Sequence, residues 1–168
     1  DVSLHQLCGF SKEAGLGELR RIFDSIGISE KISWTDVPDA FRLVSKSSDG
    51  TKIDVTMPFG VENFINAMET YVPGSKKSME KLFSLAEDIE KATEYFSESD
   101  GQYNLREIRR IMKEHGNFVR TAPYSVNEVL NALGVPQKAQ EIFNAYWMYL
   151  GVDCDRLSFT HYVSMVHS

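Results

Sequence analysis

The residues with the strongest claim to chemistry are aromatic rather than ionisable. Towards the end of the chain Tyr146, Trp147, Tyr149, Phe159 and Tyr162 mix flat apolar faces with hydroxyl groups, and they offer more ring surface than a small helical core requires. Such a group packs a core by default. Its other use is an apolar wall for a bulky substrate, because concave binding sites are lined mainly by side chains of this kind. Tyr146, Trp147, Phe159 and Tyr162 are accordingly the candidate substrate-binding residues.

Polar chemistry is sparse by comparison. The segment from Phe96 to Glu107 places Gly101 and Glu107 at the sixth and twelfth positions of a calcium loop. Position one would be Phe96, which has no oxygen to offer, so a polar turn between helices is the reading. His5, His115, His161 and His167 fall into no metal-binding spacing; His161 and His167 are near in sequence but lie on different helix faces. Cys8 and Cys154 are the only cysteines, too far apart for a redox or zinc motif, and read as ordinary thiols in a reducing compartment. The chain has no GxGxxG, GxxxxGK[ST], HExxH or GxSxG, so no catalytic residue and no metal ligand is assigned, and intrinsic enzyme activity is not expected.

A net charge of −6 argues against a nucleic-acid partner, which needs a basic stripe. The nearest approach is Arg106, Arg109, Arg110 and Lys113, interleaved with Glu107 and Glu114 as on a solvated helix face. No run approaches the ~20 apolar residues of a membrane span, and a cytoplasmic location is expected. Asp1 stands where a start methionine would, and Val166–Ser168 falls inside an apolar helical pattern. Both ends are expected to be cuts in a longer polypeptide.

The positioning elements follow from periodicity. Residues 2 to 8 read as a short strand ended by Gly9, and Leu19, Ile22, Phe23 and Ile26 have helical spacing that stops at Gly27. Residues 41 to 46 and 52 to 57 form a hairpin around Asp49-Gly50, whose positive φ angles suit the turn, and Pro58 ends the second strand. Its apolar side calls for a further sheet. Beyond Gly60 the chain turns helical, first through Val61, Phe64, Ile65 and Met68. A long helix follows with one seam through Met79, Leu82, Ala86, Ile89, Thr93 and Phe96, and with Glu87 and Lys91 as an outward pair. Asn104 with Glu107 and Ser125 with Glu128 have the form of capping boxes, with Gly116 and Gly134 as the stops. A helix from Pro136 carries Ala139, Ile142, Phe143, Tyr146, Trp147 and Leu150, and a last one starts at Asp155 or Ser158. The fold class expected is α+β, a mostly helical cap with a small antiparallel element made of the hairpin and the N-terminal strand. Residues 1–59 hold strand, helix and hairpin, and residues 60–168 the helical region, together one unit.

Across nearly its whole length the chain resembles the phytoene desaturase-like branch of the amine-oxidase-type flavoproteins. The resemblance is carried by Asp1–Leu7, Leu19–Gly27, Val55–Gly60, Glu62–Met68, Val72–Ser75, Tyr146–Gly151 and Leu157–Phe159. It implies the substrate-side portion of an FAD-dependent oxidoreductase acting on an apolar small molecule, a carotenoid being one candidate. The flavin would be held by segments on either side, Leu4, His5 and Gln6 would approach it, and no FAD would bind to this piece alone. The rival from another class is a stand-alone helical module, without enzymatic activity, that binds a partner helix or a lipid.

Overall fold

A computed structural model describes residues 18–31, 33, 37–97, 101 and 103–167. The expected strand at 2 to 8 lies outside them. The chain divides into two units, residues 1–38 and 39–168. In the first, α1 (Glu18–Ser25) is followed by a 3₁₀ turn, Ser29–Lys31. Gly27 adopts φ 70° there, with its N–H on the Asp24 carbonyl and that of Ile28 on Phe23. These paired bonds satisfy helix-end carbonyls that would otherwise lack donors, and a left-handed residue makes them reachable.

The second unit opens with the hairpin, β1 (Asp39–Lys46) and β2 (Lys52–Pro58), paired antiparallel with Leu43 opposite Val55. Gly50 alone supplies the left-handed angle, φ 84°. Its N–H reaches the Ser47 carbonyl while Ser47 N–H reaches Thr51, each at 2.8 Å. That is a type I turn closed by a glycine bulge, a three-residue loop in which Asp49 keeps negative φ and instead accepts from Thr51 N–H at 2.8 Å. Alternation along β2 buries Ile53, Val55 and Met57 to 0, 4 and 0% exposure. On the other face Arg42 and Lys52 both reach Asp54.

Helices cover the apolar face, where a further sheet was expected. They are α2 (Val61–Tyr71), α3 (Lys76–Ser97), α4 (Leu105–Glu114), α5 (Gly116–Thr121), α6 (Val126–Ala132), α7 (Gln137–Phe143) and α8 (Phe159–His167), with a 3₁₀ segment, Asn144–Tyr149, after α7. Among the described residues this is an α+β fold dominated by helix, with one two-stranded sheet, and no helix is long and apolar enough to cross a membrane. The long helix α3 packs chiefly against α8 and buries Met79, Leu82, Phe83, Ala86, Ile89 and Ala92. The seam therefore leaves through Ala92, and Thr93 is exposed, its hydroxyl on the Ile89 carbonyl.

Both capping boxes form. Asn104 Oδ1 accepts from Arg106 and Glu107 N–H at 2.9 and 3.1 Å while Glu107 accepts from Asn104 N–H at 2.7 Å, and Ser125 and Glu128 repeat the exchange. Gly134 follows α6 in the left-handed region, but Gly116 opens α5 instead of ending a chain segment. α8 takes Ser158, whose carbonyl accepts the first helical bond from Tyr162. A short antiparallel bridge between Ser125 and Ser158 joins the entrances of α6 and α8.

One cap had no motif to announce it. From α2, Glu69 accepts from Gly74 N–H at 2.8 Å and Lys76 N–H at 2.6 Å, so a carboxylate from the preceding helix satisfies the orphan donors where α3 begins. The bonds from Gly74, then from Lys76, hold the Glu69 carboxyl below the usual range. A lowered acid stabilises the fold above its ordinary pKa and loses that contribution as pH falls through the lowered one. Glu69→Gln should therefore lower the urea midpoint at neutral pH, and the gap to the parent chain should narrow as pH falls from the ordinary carboxyl range through the lowered one. A gap that persisted unchanged in acid would show that the charge plays no part.

Candidate functional site

The aromatic residues do converge, through elements distant in sequence. Tyr146, in the 3₁₀ segment, meets Phe41 of β1 edge-on with centroids 5.0 Å apart, and its hydroxyl donates to the Ala40 carbonyl at 2.8 Å. Phe41 lies 6.3 Å from Phe64 of α2, which lies 5.5 Å from Phe83 of α3 and 6.5 Å from Phe143 of α7. Phe143 in turn meets Tyr162 of α8 at 5.6 Å and 82°. Most of these pairs are edge-to-face, the arrangement that sets the positive rim of one ring on the negative face of the next. The result is a fixed aromatic body spanning sheet and helices.

The four candidate residues divide between its interior and its surface. Phe159 and Tyr162 are wholly buried. The Tyr162 hydroxyl donates to the Phe143 carbonyl at 2.7 Å, which satisfies a group at the end of α7, and burial pushes the phenol far above its ordinary range. Tyr146 is half-buried, and Trp147 is 40% exposed. Beside them Met148 and Tyr149 are 64% and 62% exposed, with the Tyr149 ring 5.7 Å from that of Tyr146. The surface strip thus unites Tyr146 and Trp147 with Met148 and Tyr149, and Phe159 and Tyr162 stand behind it. Leu4, His5 and Gln6 lie outside the described residues.

A second long-range tie anchors the strip to the hairpin. Glu141 of α7 accepts from Ser48 N–H at 3.2 Å in the hairpin turn. Burial would raise this carboxyl, but hydrogen bonds from Ser47 and Ser48 hold it below the usual range. Neither Glu141 nor Phe41 and Phe64, which extend the aromatic body, bore a sequence signal; each is an ordinary residue of its element until the fold joins them.

Elsewhere the geometry offers less chemistry. An open groove of about 690 Å³ is lined by Lys77, Lys81, Asp88, Asn117, Arg120 and Leu133 among others. Three of its polar side chains are engaged with one another, Asn117 donating to Asp88 at 2.6 Å and Arg120 to Asn117 at 3.0 Å. His115 stacks on Tyr95 at 4.8 Å, and His161 is exposed. Glu107 is taken up by its capping box, and among the described residues no group of three His, Cys, Asp or Glu side chains could hold a metal. Cys154 is half-buried, and burial, aided by Asp155 and Asp153, pushes its thiol up to about 11, which makes it a poor nucleophile at neutral pH.

Tyr162→Phe keeps the ring and removes only the donor to the Phe143 carbonyl, so it should cost about 1–3 kcal/mol in urea unfolding. A loss under a few tenths would mean that the hydroxyl is not needed. No family model, curated protein or solved structure matches the chain.

Proposed function

We propose that the chain is the substrate-binding and capping portion of an FAD-dependent oxidoreductase of the phytoene desaturase-like kind, closing over an apolar substrate. The observation that carries this reading is the strip Trp147–Tyr149, three consecutive large side chains left 40 to 64% exposed on a rigid aromatic body. Apolar surface gains about 25 cal/mol per Å² when it leaves water, and a preorganised strip of it fits a surface that meets an apolar ligand. The resemblance of Val72–Ser75, Tyr146–Gly151 and Leu157–Phe159 to the family's cap region supports the same assignment.

In this reading Trp147 and Tyr149 contact the substrate, and Tyr146 fixes their height through Ala40. Phe159 and Tyr162 act as support from behind. The flavin supplies hydride chemistry, and the chain's own task is to orient the substrate and exclude water. No Gly-rich dinucleotide turn occurs in the sequence, so FAD is assigned to other segments of a longer polypeptide, with Leu4, His5 and Gln6 as the residues that approach it.

Two measurements test the assignment. In the flavin-bearing parent, Trp147→Ala should raise KM for the apolar substrate roughly ten-fold, the scale of one lost apolar contact, with the melting temperature nearly unchanged. An unchanged KM with a lower melting temperature would reassign the strip to packing. The chain expressed alone should purify colourless, and stoichiometric flavin absorbance in it would refute the division of labour.

A further inference from the structure

A second exposed apolar strip, of different character, runs along α4. Leu105, Ile108 and Met112 are 76, 45 and 52% exposed, and steps of three and four set them in one line along the helix. Ile111, 7% exposed, turns inward beside that line and anchors the helix. On the opposite flank the helical winding brings Arg109, Lys113 and Arg106 in succession. Arg110 is already engaged, bonded to Glu114 at 3.0 Å and lying 5.3 Å over the Tyr95 ring, and Glu107 is held in the capping box. Arg106, Arg109 and Lys113 have no ion-pair partner among the described residues. Among the described residues, a cationic edge without ion-pair partners is thus concentrated on one helix of a chain whose net charge is −6.

Two features select what covers this strip. Three side chains on a ten-residue helix form a narrow ridge, well short of the ~800 Å² per partner that a stable protein interface buries. The free cations border the ridge along its length and call for an extended anionic counterpart. An anionic bilayer surface meets both conditions, because it needs no matching groove. Apolar side chains enter the boundary between headgroups and acyl chains, and the alkyl stems of arginine and lysine lie along that boundary with their charges on phosphate.

We infer that α4 docks the protein on an anionic lipid surface, with Leu105, Ile108 and Met112 inserted and Arg106, Arg109 and Lys113 on the headgroup phosphates. The contact is peripheral and reversible. It rests on α4 alone and is independent of the flavoenzyme reading.

Sedimentation of the full chain with sucrose-loaded vesicles tests it. The chain should pellet with phosphatidylcholine vesicles containing about 25% phosphatidylglycerol at about 0.1 M salt, and at about 0.5 M salt or on pure phosphatidylcholine it should stay in solution. Replacing Arg106, Arg109 and Lys113 together by Gln should weaken partitioning about 100-fold, near five-fold for each cation. Leu105→Ser with Met112→Ser should abolish pelleting, and circular dichroism should show the parent helix content in both variants. Failure of the parent chain to pellet on anionic vesicles, or equal pelleting by parent and variants, would overturn the inference. So would a lipid-free dimer dissolved by Ile108→Ser, which would assign the ridge to a second copy.

Discussion

A two-stranded hairpin cannot hold its own shape in water, and the need to cover one apolar face of β1 and β2 organises the rest of the second unit. Ile53, Val55 and Met57 are driven out of water together because strand alternation puts them on one side. A slip of one residue would turn all three to solvent, so pairing and burial fix the register jointly. Three contacts from remote helices then hold the hairpin in place: Tyr71 hydroxyl near Thr56 N–H, Glu141 on Ser48 N–H, and Tyr146 hydroxyl on the Ala40 carbonyl. Each satisfies a backbone group that β1 and β2 do not pair between themselves.

The aromatic body follows from the same constraint. Phe41 leaves the hairpin on the covered side and meets the rings of Phe64 and Tyr146, and Phe64 carries the series on to Phe83 and Phe143. Tyr146 packs onto Phe41 at that body, and Trp147, Met148 and Tyr149, which follow it, stand exposed. The ridge on α4 is separate in origin, since a single inward residue, Ile111, fastens that helix and leaves its other apolar positions outside.

What was legible in the sequence was local. The hairpin, the capping boxes at Asn104 and Ser125, and the Glu87–Lys91 pair could be read because each depends on residues within a few positions of one another. What escaped depends on partners far along the chain. Ala92 rather than Thr93 is buried, which periodicity within α3 does not reveal. Glu69 caps a helix it does not belong to. Phe159 and Tyr162 had the composition of a ligand wall, yet sequence cannot tell a ring that lines a surface from one that supports it.

The tightening of the backbone after Phe143 has a further effect. With three residues per turn, in place of 3.6, residues three apart eclipse one another, and Tyr149 comes to lie beside Tyr146, the ring tied to Ala40. Adding or deleting a single residue between them would rotate the later ring by about a third of a revolution. Length variation among homologous chains should therefore avoid residues 144–149 and accumulate elsewhere.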